Sequence, residues 1–108
     1  MIIILNNCCN YMACQYLVCV DIKVVTSYDA DHVYWTLGTC ATSIEYTDNQ
    51  ILKENDCCLA AGNHTLTCYN TRHPHGWKKG FIIVNGRNYC DDFIGYKAMR
   101  RITIRGKI

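Results

Sequence analysis

The 108-residue chain contains one proline, only two glutamates, and charged residues at 19% of the total. Its formal net charge is +2, and its lysines and arginines are scattered apart from two adjacent pairs. A nucleic-acid binder needs a continuous basic face, so the sequence excludes nucleic acid as a partner. Its apolar runs are far shorter than the roughly 20 residues that a membrane-spanning helix requires, so we expect no membrane span.

The sequence also lacks the patterns that carry catalysis. It has no nucleophile elbow, no paired-carboxylate arrangement typical of a catalytic site and no phosphate-binding glycine loop. The two glutamates, Glu45 and Glu54, lie in a polar, loop-like stretch. Because general acid–base catalysis needs positioned proton donors and acceptors, we expect no enzymatic activity and no cofactor. Zinc-binding Cys-x2-Cys knuckles are absent as well.

Cysteine, in contrast, is abundant. Nine cysteines in so short a chain favour a disulfide framework formed in an oxidising compartment, which indicates an extracellular protein. They are Cys8, Cys9, Cys14, Cys19, Cys40, Cys57, Cys58, Cys68 and Cys90. Adjacent cysteines rarely bond each other, so each adjacent pair is expected to send bridges in two directions. Since nine is odd, at least one thiol is free or bonded to another chain.

Alternating apolar residues predict a fold made only of strands. Tyr16–Val25 alternates throughout and is predicted to form one half-buried strand. Asn85-Gly86 separates two β-prone runs, Phe81–Val84 and Arg87–Cys90, and this is the strongest short-range signal of a hairpin. Further strands are predicted at Ile2–Leu5, His32–Gly38, His64–Asn70 and Arg100–Gly106, the last with Ile102 and Ile104 inward. The pattern predicts a disulfide-rich antiparallel β-sandwich, jelly-roll-like in arrangement.

Residues 1–15 differ from the single β-sandwich domain that we expect over residues 16–108. Two interpretations of this N-terminal arm stay open. It is an extra edge strand, or it adds a strand to a neighbouring copy. In the second case Met1–Leu5 pairs with another copy, and an intermolecular disulfide forms at Cys8, Cys9 or Cys14. The first twenty residues lack the basic region of a signal peptide, so secretion would need a leader upstream of this sequence.

The stretch TRHPHGWKKGF, Thr71–Phe81, holds the candidate contacts with a glycan or partner: His73, His75, Trp77 and Lys78. An extended backbone would place the two histidines on one side. Two ligands do not make a metal site, and Pro74 already accounts for a rigid turn, so we expect no metal. An exposed Trp77 would stack on a sugar, whereas in a small sandwich tryptophan more often fills the core.

Asn63-His64-Thr65 matches the acceptor motif for N-glycosylation. The motif is short, but in a protein that the cysteines assign to the secretory route it gains weight. Asn63 follows Gly62 in the turn that is predicted to open a strand, so we expect its side chain to be accessible. The sequence therefore predicts a glycoprotein.

The order of these motifs resembles a family of cysteine-rich extracellular β-domains of the Gly-Asp-Gly-Trp type, found in secreted proteins of protists and simple animals. The resemblance rests on YWTLGTC, then CCLAAGNHTLTC, then Gly-Trp, then GFIIVNGRNYCDDF, and covers about Cys19 to Ile104. The matching positions are Trp35, Leu37, Gly38, Cys40, Cys57, Cys58, Leu59, Gly62, Thr65, Leu66, Cys68, Gly76, Trp77, Gly80, Tyr89 and Cys90. It implies a surface, matrix or filament module without an assigned enzymatic activity, and glycan binding is a second function that it suggests.

The chain departs from that family where the family carries acidic residues. Pro74-His75 replaces the Gly-Asp before Gly-Trp, and His32 stands where many relatives have an acidic residue. A turn without that carboxylate loses an oxygen ligand for calcium. We expect no calcium at this loop.

Two functions follow as hypotheses. The first is a non-enzymatic structural subunit that self-assembles as a homo-oligomer or homopolymer into an extracellular filament or surface matrix. The second is a secreted, lectin-like module that binds carbohydrate. For the bridges we expect Cys68–Cys90, with Cys19 and Cys40 taking Cys57 and Cys58 in an order that the sequence does not decide.

Overall fold

A computed structural model describes residues 2–4 and 16–106 of the chain, with side chains from residue 17 onward. The strands are β1 Ile2–Ile4, β2 Tyr16–Val20, β3 Ile22–Val25, β4 Val33–Leu37, β5 Cys40–Ala41, β6 Ile51–Lys53, β7 Cys57–Ala60, β8 Gly62–Asn70, β9 Phe81–Val84, β10 Arg87–Tyr89 and β11 Lys97–Ile104. A single turn of 3₁₀ helix, Ala30–His32, precedes β4. The predicted all-β, antiparallel fold is confirmed.

The strands form three antiparallel sheets with the orders β1-β2-β7, β10-β9-β3-β6 and β11-β8-β4-β5. β8 is the longest strand and lies inside its sheet, where it pairs with β11 on one side and β4 on the other. The core between the sheets contains the fully buried Trp35, Leu37, Leu66 and Ile82. In β4 and β9 every second residue is buried, as a pleated strand requires when one face packs inward. In β8 the inward-facing Leu66, Cys68 and Asn70 are buried, and so is Thr67 between them.

The predicted hairpin is present. β9 pairs with β10 across Asn85-Gly86. Both turn residues have positive φ, at 51° and 84°, as the two-residue turn that matches strand twist demands. Ile102 and Ile104 are buried on β11, also as predicted.

The prediction of one continuous strand over Tyr16–Val25 is wrong in one respect. The chain changes sheet at Asp21, so β2 pairs with β7 while β3 pairs with β6 and β9. The Asp21 carbonyl accepts a hydrogen bond from the Asn85 N–H at 2.8 Å, outside any ladder. The inward alternation of Val20, Ile22 and Val24 continues across the break, which is why the pattern alone does not reveal it.

β1 lies at the edge of its own chain's sheet. Ile2, Ile3 and Ile4 stand opposite Val18, Leu17 and Tyr16 in the antiparallel ladder. Ile2–Ile4 thus form an edge strand of their own chain, as the first interpretation predicts, and pairing with another copy stays a prediction. The other residues of the expected arm lie outside the described part of the chain.

Candidate functional site

Three disulfides hold the described domain together. Cys68 on β8 is joined to Cys90 after β10, as expected from the sequence. The order left open is now resolved, because Cys57 pairs with Cys40 and Cys58 with Cys19.

The adjacent cysteines on β7 separate for a geometric reason. Successive residues of a strand point to opposite faces; Cys57 is buried and Cys58 is half-buried. Cys57 therefore reaches Cys40 of β5, whereas Cys58 bonds Cys19, its direct cross-strand partner on β2. Cys8, Cys9 and Cys14, the expected intermolecular cysteines, lie outside the described residues.

Asn70, the last residue of β8, organises the loop that carries the candidate contacts. Its side chain is 1% exposed. Its amide donates to the Gly76 carbonyl at 2.8 Å, and its Oδ1 accepts from the backbone N–H groups of Arg72 and His73 at 3.0 Å each. A buried amide with its partners satisfied is favourable, so one side chain fixes both ends of the turn. Sequence reasoning missed Asn70, although asparagine before a turn is a known signal.

Gly76 is required where the loop meets the segment that follows β10. Its φ is +61°, and a Cβ at this position would lie 2.0 Å from the Phe93 carbonyl oxygen. The Gly76 N–H donates to the Gly95 carbonyl at 3.1 Å, while the Gly95 N–H donates to the Pro74 carbonyl at 3.0 Å. These reciprocal bonds hold the Pro-His-Gly turn against residues 93–95.

Trp77 does not present a ring to solvent. It is 3% exposed, and its indole N–H donates to the Tyr69 carbonyl at 2.9 Å. The expectation that Trp77 stacks on a sugar is wrong, because its ring is part of the core. Gly76 and Gly80 flank it where the loop turns inward.

Lys78 contacts the loop that precedes β4. Its ammonium lies 2.5 Å from a carboxylate oxygen of Asp29 and 4.7 Å from the centre of the Tyr28 ring. The hydrogen bond from Lys78 holds the pKa of the Asp29 carboxyl below its usual value, against the opposing effect of desolvation. Lys78 thus fixes the loop before β4 rather than projecting freely.

Three of the four histidines gather at this end of the domain. The His73 and His75 rings are nearly parallel with centroids 5.9 Å apart, as an extended pair two residues apart predicts. Nε2 of His32 lies 3.0 Å from the Arg72 guanidinium and 3.3 Å from the Asp31 carboxylate. Among the described residues, no group of three or more His, Cys, Asp or Glu side chains is placed to hold a metal ion.

The side chains at this end of the domain, from the loop before β4, the loop after β8 and the segment before β11, are together called the loop face. They are Tyr28, His32, Arg72, His73, His75, Ile94 and Tyr96. Tyr28, Ile94 and Tyr96 are 57%, 88% and 55% exposed, although all three are large and largely apolar. Imidazole and guanidinium groups supply hydrogen-bond donors beside them. An exposed apolar surface bordered by polar groups is typical of a contact site.

Asn63 lies elsewhere, as the second residue of β8 rather than in a turn. It is exposed on the outer face of the sheet, opposite Thr103 of β11. The Thr103 hydroxyl donates to Asn63 Oδ1 at 2.8 Å. Thr65, the third residue of the motif, is exposed on the same face.

A buried carboxylate is the other feature that sequence reasoning missed. Glu54 is 6% exposed, although it lies in a loop. It accepts hydrogen bonds from the hydroxyls of Tyr46 and Ser43, and the Tyr46 oxygen accepts from the Trp35 indole at 2.8 Å. Burial, followed by the bond to Glu54, raises the pKa of Tyr46. The network ties the loop between β5 and β6 to the central tryptophan.

No family model, curated protein or solved structure matches the chain. Among the described residues, no helix is long and apolar enough to cross a membrane.

Proposed function

We propose that this chain is a non-enzymatic extracellular structural subunit that self-assembles into a filament or surface matrix. The observation that carries the proposal is the cysteine count. The three described disulfides use six of the nine cysteines. Cys8, Cys9 and Cys14 remain, and three cysteines form at most one further bridge within the chain. At least one sulfur therefore has no partner among these 108 residues, and we infer that it bonds to another copy.

The disulfides also support the extracellular location. Such bonds persist in oxidising compartments and are rare in the cytosol. Two of them, Cys40–Cys57 and Cys68–Cys90, lie in or against the hydrophobic core, so the domain is expected to depend on them for stability. The exposed Asn63 is consistent with passage through the secretory route, where the motif is glycosylated.

Open strand edges support assembly beyond the covalent bond. β1 stands at the outer edge of the β1-β2-β7 sheet, with no described strand beyond it. An exposed edge offers unpaired backbone groups to another chain. If a copy uses such an edge against a different surface of the next copy, the contact does not close on itself and an open polymer results.

Electrophoresis of purified protein with and without reductant tests the proposal. We expect a ladder without reductant that collapses to the monomer with it. Replacing Cys8, Cys9 and Cys14 together with serine should remove the ladder. The matched control replaces Asn6, Asn7 and Asn10 with serine, which changes the same segment but keeps the cysteines, and should leave the ladder intact. A protein that stays monomeric without reductant at all concentrations would contradict the proposal.

A second candidate function is carbohydrate binding at the loop face. It is favoured by the exposed Tyr28 and Tyr96 beside His73 and His75, because aromatic rings and polar donors are what a sugar surface contacts. A glycan array tests it, with His73→Ala/His75→Ala as the comparison. Binding that this variant loses would support the function, whereas an array without signal above background would exclude it.

A further inference from the structure

The three sheets meet at an open cleft of about 530 Å³. Its floor is apolar and is built from all three sheets: Val18 and Val20 of β2, Val84 of β9, and Ile102 and Ile104 of β11. Tyr89 of β10 also lines it. The volume lies within the range of about 300–1,000 Å³ that is typical of small-molecule sites.

Two positive charges border the cleft. Arg87 and Arg105 line it beside Asn85 of the hairpin turn, and both arginines are exposed. Within residues 17–106, every ion pair involves Lys53, Lys78 or His32, and none reaches either arginine. The first fifteen residues contain no aspartate or glutamate. The cleft therefore combines an apolar floor with guanidinium charge that no ion pair among the described residues neutralises.

We propose that this cleft binds a single-chain anionic amphiphile, such as a free fatty acid. The hydrocarbon chain would lie on the valine and isoleucine floor, where it leaves water. The anionic head would accept hydrogen bonds from Arg87 and Arg105, because a planar guanidinium matches the geometry of a carboxylate. The cleft's volume suits one chain, and its charge selects an anion over a cation.

Titration with decanoate as the probe, kept below its micelle concentration, tests the proposal by calorimetry and by amide chemical shifts. We expect saturable one-to-one binding, with shifts concentrated at residues 87–89 and 102–106. Affinity should increase by about three- to fourfold for each methylene added between hexanoate and decanoate, if the chain is buried on the floor. Decyltrimethylammonium, with the same chain and the opposite charge, should not bind.

Two variants with a matched control locate the head group. Arg87→Gln and Arg105→Gln should each weaken decanoate binding by about tenfold, which is the lower end for a lost charge-assisted bond. Arg101→Gln is the control, because Arg101 is an exposed arginine on β11 that does not line the cleft. It should bind decanoate as the unchanged protein does. All three side chains are exposed, so folding is expected to survive each substitution.

Four outcomes would overturn the proposal. They are no saturable binding of decanoate, equal binding of the cationic amphiphile, no dependence on chain length, and an Arg101→Gln effect equal to that of Arg105→Gln. Vesicles with and without an anionic phospholipid separate a membrane surface from a free amphiphile. Co-sedimentation with the anionic vesicles in the absence of decanoate binding is the first of these outcomes, with a membrane surface as the partner.

Discussion

Removing the Cys68–Cys90 disulfide would measure how much of the domain's stability depends on this cross-link, compared with residues of the loop face. Both cysteines are buried, at 0% and 2% exposed. The substitution we consider is Cys68→Ala with Cys90→Ala, because alanine leaves no polar group unpaired in the core. Serine in place of Cys8, Cys9 and Cys14 keeps the background free of interchain exchange.

The number of residues between the two cysteines determines how much unfolding free energy we expect the domain to lose without this disulfide. Its cysteines are 22 residues apart, and the loop-closure relation gives about 3.4 kcal/mol of stabilisation at 25 °C for a loop of that length. In a domain near 100 residues this corresponds to a fall in Tm of about 15–25 °C. His73→Ala/His75→Ala should cost at most about 0.5 kcal/mol, as surface changes usually do, because neither imidazole is buried.

Urea unfolding followed by circular dichroism measures both variants. Because the disulfide restricts the unfolded chain, its removal is also expected to make the free energy of unfolding fall more steeply with urea concentration. The midpoint urea concentrations of the variants should therefore be compared together with these slopes. Equal losses of stability in the cysteine and histidine variants would refute the reasoning. So would a cysteine variant that unfolds at the same midpoint as the intact protein.

Two other predictions concern buried and exposed polar contacts. Tyr46→Phe removes the hydroxyl that accepts from Trp35 and donates to Glu54, and leaving both partners unsatisfied should cost about 2–4 kcal/mol in urea unfolding; a loss below about 0.5 kcal/mol would contradict the network. Lys78→Met should raise the pKa of the Asp29 carboxyl toward its ordinary value. In the unchanged protein the depressed pKa adds stability at pH values above the ordinary carboxyl pKa, and this stability is lost as the pH falls through the folded value. The variant lacks this contribution, so it should be less stable than the unchanged protein above the ordinary carboxyl pKa and equally stable well below the folded value. A carboxyl NMR titration that places Asp29 at the same pKa in both proteins would contradict it.

Local chemistry made much of the fold predictable. The Asn-Gly turn demands positive φ at two positions, and the hairpin of β9 and β10 forms around it. Alternation likewise identified the buried faces of β3 and β11. These features depend on residues close in sequence, which is why a single chain displays them.

The features that were missed depend on contacts between distant residues. The change of sheet at Asp21 is accompanied by a hydrogen bond from the distant Asn85, and periodicity records neither feature. Glu54 has the sequence of a polar loop, yet the Tyr46 hydroxyl makes its burial tolerable. Trp77 was ambiguous because lysines follow it, and only the backbone turn at Gly76 and the carbonyl of Tyr69 place its ring in the core.

The central claim is that copies of this chain are joined by cysteines of the N-terminal segment. Mixing copies labelled with heavy and light nitrogen during assembly, followed by proteolysis without reduction and mass spectrometry, tests it most directly. We predict disulfide-linked peptides that contain Cys8, Cys9 or Cys14 and carry one heavy and one light half. If every such peptide is wholly heavy or wholly light, the bonds lie within single chains and the claim is contradicted.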